Sequence, residues 1–497
     1  MTATIRAMQL FRSVFLAAAL STVLAACGGG GSDAPATPTT PLVPVPAPAP
    51  PPEAPAPAAA PTVQIGLSTA TLFVGQPVTL TWFSGNATSC AASGAWSGTQ
   101  PTAGTLTVSA TAAGAASYAL TCTGAGGMTS ASATLSVQAA NVLAVTVDRG
   151  PTGDSFNQPF VTVTVCVPGT ATCRTVDRVL VDTGSNGLRL MASALGTGIA
   201  LPVVNTASGS PVGECGQFAS GFAFGSVRRT DVKLAGKTAA GIPVQVIGDP
   251  GQAYATVPFA CSSAGANIGT VAALGANGIL GVGTLTQDCG RVCVSTAAPG
   301  IYYACAPGGC TGTALPLESQ LVNPVTAFAQ DNNGVALTLP PVPIGGVKSL
   351  TGTLTFGIGT QANNQLGDAT VYSTNDRGNF TTVYRGVNYS SSFIDSGSNG
   401  IFFDDASIPL CSSFYCPPSP LTLSAVNISP NGASGSVTFF VEKLQPLNGS
   451  AVALHAGGSA GLPRSFDFGL PFFFGRTVFT AVAGARTPKG NGPFWAY

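Results

Sequence analysis

Two segments of this chain repeat one pattern of side chains around an aspartate: VLVDTGSNGLRL (Val179–Leu190) and SFIDSGSNGIFF (Ser392–Phe403). Each runs through apolar residues into Asp, then Thr or Ser, Gly, Ser, Asn and Gly, and returns to apolar residues. Two carboxylates brought within about 3 Å cannot both ionise cheaply, so they hold one proton between them and titrate as a pair. Such a pair does acid–base chemistry on a bound water. The ionised carboxylate takes a proton from it while the protonated one polarises a carbonyl. Asp182 and Asp395 are therefore the candidate catalytic residues. Gly184 and Gly397 stand where a Cβ would obstruct close approach of backbone to carboxylate. Either segment alone would pass for an Asx-type turn in a β-rich chain; the recurrence is what points to chemistry.

The flanking residues must place both acids at the ends of strands. Val161 to Val165 alternates Val and Thr, turns at Pro168-Gly169, and returns as Val176 to Val181 into Asp182. Phe380 to Tyr384 turns at Arg385-Gly386 and returns through Val387 to Ile394 into Asp395. Each half thus predicts a hairpin whose returning strand delivers an aspartate.

In this combination the segments resemble the paired Asp-Thr-Gly and Asp-Ser-Gly signatures of pepsin-like aspartic peptidases. The resemblance implies an all-β fold: a bilobal, pepsin-like double β-barrel with pseudo-twofold symmetry. It also implies an apolar-apolar-Gly segment packed under each acid. Ile279-Leu280-Gly281 in NGILGVG and Phe473-Phe474-Gly475 in LPFFFGRTVF match that pattern. GTLTFGIG (Gly352 to Gly359) resembles the strand opening the family's second lobe. By the same resemblance Ser185 and Ser398 donate to the outer carboxylate oxygens, and Thr183 and Ser396 hydrogen-bond across the lobe interface. Residues 141–345 then form the N-lobe and 346–497 the C-lobe. Two departures stand out. The region of the substrate-covering flap, Glu214 to Phe224 (ECGQFASGFAF), contains Phe218 but no tyrosine. Arg189 occupies the neighbourhood where a tryptophan often follows the first motif.

Composition agrees with an extracytoplasmic β protein. Of 497 residues, 63 are Gly, 39 Pro and only 8% charged, with zero formal net charge. So few Lys and Arg argue against nucleic acid as a partner. Arg6 and Arg12 precede the apolar run Val14 to Leu24 and then Leu24-Ala25-Ala26-Cys27, which resembles a bacterial lipobox. This predicts a signal peptide over 1–27 and acylation of Cys27, with Gly28 favouring the outer membrane, facing the periplasm or the cell surface. A Pro- and Ala-rich linker follows over 28–61.

Residues 62–139 show short strand-like runs, Trp82 in VTLTW, and the pair Cys90 and Cys122. They resemble a small immunoglobulin-like β-sandwich, which predicts a disulfide pinned across its sheets. Twelve of the thirteen cysteines remain after Cys27, an even number suited to an oxidising compartment. Spacing suggests Cys90–Cys122, Cys166–Cys173, Cys215–Cys261 and Cys411–Cys416. It also suggests a nested double staple, Cys289–Cys310 around Cys293–Cys305. One histidine, His455, and no paired CxxC motifs argue against zinc. No metal or cofactor is expected. Gly153-Asp154-Ser155 would need His455 as its base, Asp404-Asp405 reads as a solvated turn, and Tyr302-Tyr303 as packing in the stapled loop.

The expectation is a monomeric, lipid-anchored aspartic endopeptidase of the cell envelope, acting on extended peptides or proteins. Two other readings compete: a non-catalytic binding protein that uses the cleft as a recognition groove, and an adhesion protein led by its anchored sandwich. Intact twin acids favour the peptidase, and the missing flap tyrosine favours the binding protein.

Overall fold

The computed structural model describes residues 56–444, 450–461 and 464–497. The expected signal peptide, Cys27 and the linker as far as residue 55 lie outside the described residues. The described part is all-β, with only short helical turns between strands.

Residues 62–138 make a two-sheet sandwich. Thr62–Leu67, Pro77–Gly85 and Ala103–Ser109 form one sheet. The other runs in the order Thr71–Phe73, Gly127–Gln138, Gly114–Gly124, Ser89–Gly94, Gly98–Gln100. Strict alternation along Pro77–Gly85 turns Val78, Leu80 and Trp82 inward, because side chains on a strand point to opposite faces in turn. They meet Trp96, Tyr118, Leu120 and Leu135 in one core. The Cys90–Cys122 bridge does not cross this core, contrary to expectation. Cys90 and Cys122 lie directly opposite each other on neighbouring strands of the same sheet, so the bridge staples that sheet laterally. Between the sheets stands this apolar core instead, with Trp82 edge-on to Trp96 at 5.1 Å between ring centres.

From Val142 onward the chain builds two halves by the same local plan. In the first, Pro159–Cys166 pairs antiparallel with Cys173–Asp182, and the Cys166–Cys173 bridge closes the hairpin at its end. The Asp182 strand then lies parallel to Gly278–Val282, with Asp182 opposite Gly281. Beyond Asp182 the chain turns and returns as Asn186–Met191 on the other side of Gly278–Val282, with Gly187 opposite Gly281. In the second half, Phe380–Tyr384 pairs with Val387–Ile394. Val387–Ile394 lies parallel to Asp467–Phe468, and Ile401–Phe402 returns antiparallel on its far side.

The segment beneath Asp395 is therefore Asp467-Phe468-Gly469, not Phe473-Phe474-Gly475. Phe473 and Phe474 are buried, but they belong to the 3-10 turn Leu470–Phe473 and the residue after it, where the chain has already left the Asp395 strand. An acid at the first position of the true segment hides it from an apolar-apolar-Gly pattern.

The halves are continuous through a shared sheet: Val142–Val147 pairs with Leu350–Phe356, which pairs with Gly334–Leu339 and then Arg476–Ala481. Val and Leu dominate the core of the first half. Stacked phenylalanines fill the second, with Phe466 4.9 Å from Phe403 and 4.7 Å from Phe468.

Cys215 is bridged to Cys261 and Cys411 to Cys416. The nested staple is replaced by two local bridges, Cys289–Cys293 and Cys305–Cys310. Cys305 and Cys310 face each other across the hairpin Tyr302–Ala306/Gly309–Gly312, while Cys293 sits on the short helix Arg291–Ser295 within reach of Cys289. Hairpin register and helix position thus pair each cysteine with its sequence neighbour.

Candidate active site

The strand ends bring Asp182 and Asp395 together. A Cβ added to Gly184 would lie 2.6 Å from Asp395 Cγ, and one on Gly397 would lie 3.0 Å from Asp182 Cγ. Each glycine backbone therefore packs against the opposite acid, and any side chain there would push the carboxyls apart. The Gly184 N–H donates to Asp182 Oδ1 at 2.8 Å and the Ser185 hydroxyl to Asp182 Oδ2 at 2.5 Å. The other half repeats this: Gly397 N–H donates to Asp395 Oδ1 at 2.7 Å and Ser398 Oγ to Oδ2 at 2.8 Å.

Behind the acids, Thr183 and Ser396 lock the halves together. The Ser396 N–H donates to Thr183 Oγ1 at 2.9 Å, and that hydroxyl donates to the Ile394 carbonyl at 3.0 Å. In return the Thr183 N–H donates to Ser396 Oγ at 3.2 Å, and that hydroxyl donates to the Val181 carbonyl at 2.7 Å. Both side chains are fully buried, so every polar atom of the crossing is satisfied away from water. Burial, the charge of Asp182 and that of Asp467 push the Asp395 carboxyl well above the usual carboxylate range. The pair thus keeps one proton, which is the state that activates a water against a carbonyl.

The hairpin Val212–Phe218/Gly221–Leu234 turns at Ala219-Ser220, and Cys215 ties it to the short helix Phe259–Ser262. The Phe218 ring packs against the Arg189 guanidinium, 5.5 Å from its centre. Arg189 is buried and shared by two acids: Glu214 Oε1 at 2.9 Å and Asp288 Oδ2 at 3.5 Å. Tyr302 donates to Asp288 Oδ1 at 2.6 Å and accepts from the Leu321 N–H at 2.7 Å. Sequence reasoning noticed Arg189 as a departure but missed Glu214, Asp288 and Tyr302 as its partners. Their only local signal is a nearby cysteine for Glu214 and Asp288 and the doubled tyrosine for Tyr302. Tyr303, read with Tyr302 as packing, stacks edge-on against Phe224.

Two other sequence candidates have separate roles. Ser155 donates to the Gly275 carbonyl, and His455 pairs with Glu442 at 3.1 Å. Asp404 is exposed, but the neighbouring Asp405 is not the solvated residue expected. Its carboxylate is largely covered, accepting from Tyr384 Oη at 2.7 Å and pairing with Arg385 at 3.1 Å.

These buried acids set a pH dependence of stability. Burial pushes Glu214 up to about 7 against the pull of Arg189, and pushes Asp467 up to about 8. An acid whose pKa is raised by folding stabilises the fold below its unfolded value and loses that contribution as pH climbs through its folded value. Glu214 and Asp467 therefore withdraw stability between about pH 4.5 and 8. Asp249 and Asp405 act the other way. Despite burial, Ser226, the Gly251 N–H and Arg228 hold Asp249 low, while Ser407, Tyr384 and Arg385 do so for Asp405. Their contribution is lost only as pH falls below the ordinary aspartate value near 4. Thermal midpoints measured across pH at constant ionic strength should peak in mild acid and fall by roughly 5 °C or more toward pH 8. A midpoint that climbs steadily from pH 5 to 8 would contradict this balance.

A family model described as "Protein of unknown function (DUF3443)" matches residues 137–497. No curated protein matches the chain. Among solved structures, the chain is similar to an aspartic proteinase from Irpex lacteus at 16% identity and a TM-score of 0.38, covering 71% of this chain and 96% of that one.

Proposed function

The chain belongs to the DUF3443 family, whose description assigns no activity, and from the geometry of its cleft we propose that it is an aspartic endopeptidase. One observation carries the reading: two carboxyls set face to face, each packed against the glycine of the opposite loop and each with one oxygen held by a glycine N–H and the other by a serine hydroxyl. A mere recognition groove has no need of two like charges forced together and braced from both sides.

In the proposed reaction a water sits between the acids. The ionised carboxylate removes its proton as the oxygen attacks the peptide carbon, and the protonated carboxyl gives its proton to the carbonyl oxygen. The product of this step is a neutral gem-diol. Its collapse returns one hydroxyl proton to the dyad while the other acid protonates the departing nitrogen. The C–N bond breaks, leaving a carboxylic acid and an amine, and the dyad is again singly protonated. Peptides would lie extended between the halves beneath the Val212–Leu234 hairpin. Acylation of Cys27 would hold the protein, as a monomer, on the cell envelope.

A second reading has one observation in its favour. The covering hairpin is bridged through Cys215, and Phe218 rests on Arg189, so a groove stiffened in this way would suit binding without turnover. Incubating the full-length protein with a mixed peptide library from acid to neutral pH separates the two. Internal cleavage unaffected by a chelator supports the peptidase. A folded protein that retains peptides and cuts none supports the binding groove.

A further inference from the structure

The two halves differ at one position beside the acids. Ile279 lies two residues before Gly281, in register with Leu180; its counterpart Asp467 lies two residues before Gly469, in register with Phe393. Residues paired in a parallel ladder share a face, as do alternate residues along a strand. Asp467 therefore projects from the same face as Asp395, two positions beyond Phe393. It is only 7% exposed, and its Oδ1 is buried with no hydrogen-bond partner among the described residues. On its other side the strand Ile401–Phe402 sets Phe402 opposite it. Burial pushes the Asp467 carboxyl up, the Ser398 hydroxyl opposes this and the Asp182 charge adds to it, while Asp467 in turn pushes Asp395 up. Ser398 is committed to Asp395, to whose Oδ2 it donates at 2.8 Å, so the buried Oδ1 of Asp467 stays beside the dyad without a partner among the described residues.

We infer that Asp467 is a third acid beside the dyad: a positioning residue that holds a proton of its own and, once ionised, keeps the dyad's remaining proton in place to higher pH. Turnover needs one proton on the Asp182–Asp395 pair and ceases when it leaves. A negative charge on Asp467 opposes that loss, because the pair would then become the second and third charges of one buried cluster. Neutral Asp467 imposes no such resistance at low pH. The first half has no such group, since Ile279 stands in its place.

The effect on turnover rests on the peptidase reading; the effect on titration does not. Asp467→Asn should move the alkaline limb of the pH–kcat profile down by on the order of one pH unit, while activity in acid stays within about threefold of wild type. Asp467→Ile, which copies the first half, should shift the limb equally, and Asp467→Glu should restore it. Isotope-labelled aspartate carboxyl carbons, followed by NMR, give the second readout: the dyad's titration should move down in Asp467→Asn whether or not peptide is cut. An unmoved limb with unmoved resonances overturns the inference. So does a uniform loss of activity at all pH values, which would mark a structural role. So does a change in which residues flank the cut bond with no shift in the limb, which would mark a substrate contact. A wild type that cuts nothing, yet whose dyad resonances shift in Asp467→Asn, would remove the peptidase reading and leave this one standing.

Discussion

Replacing either Asp182 or Asp395 with asparagine is expected to cut peptide hydrolysis by about a thousandfold or more while leaving the protein folded. Asparagine keeps its Oδ1 as the acceptor for the Gly184 or Gly397 N–H and turns its amide NH2 to the adjoining serine, whose hydroxyl oxygen can accept in place of donating. It can neither take a proton from water nor return one to the leaving nitrogen. Because the acids work as one unit, the double variant should be no slower than either single one. Stability should move oppositely to rate. The wild type forces two carboxyls together, and Asp395 is pushed upward by burial and by Asp182. Removing one member relieves that strain, so each variant should melt at or above the wild-type midpoint at neutral pH. Initial rates measured beside melting curves test both halves at once. If either variant cuts near the wild-type rate, water activation lies elsewhere.

The parts of this site that were legible in sequence are those whose determinants are local. Apolar strand, acid, hydroxyl, glycine and serine fall within a few residues, and the pattern occurs twice, so Asp182, Asp395 and their supporting Thr183, Ser185, Ser396 and Ser398 could all be singled out before any contact was known. What escaped depends on distant partners. Asp467 looks like an interruption of an apolar segment until the parallel register with Phe393 sets it beside Asp395. Phe473-Phe474-Gly475 fits the expected pattern better, yet it lies past the point where the chain turns away. Cysteine spacing suggested Cys289–Cys310 nested around Cys293–Cys305, whereas hairpin register and helix position close Cys305–Cys310 and Cys289–Cys293 instead. Glu214 and Asp288 lie far from Arg189 in sequence, so no periodicity links them.

That cluster carries the second large effect. Arg189→Met should destabilise the fold by about 3–5 kcal/mol, because it leaves the buried carboxyls of Glu214 and Asp288 without their cation. The loss should depend on pH in a direction that a simple packing defect would not show. In the wild type burial already lifts Glu214 to about 7 in spite of Arg189; without that cation the acid binds its proton more tightly still. Near pH 5 the orphaned carboxyl can remain neutral, so the variant should lose less there than at pH 8, where neutrality is harder to maintain. Adding Glu214→Leu to Arg189→Met should recover part of the loss, since an apolar side chain of similar size needs neither cation nor proton. Denaturant titrations of wild type, the two single variants and the double variant at both pH values close this cycle. Equal losses at both pH values, with no recovery in the double variant, would mean that Arg189 matters for its shape rather than its charge. Glu214 belongs to the hairpin that carries Phe218, and Phe218 rests on Arg189. Loss of the cation should therefore also loosen the cover of the cleft, raising KM for peptides more than it lowers kcat.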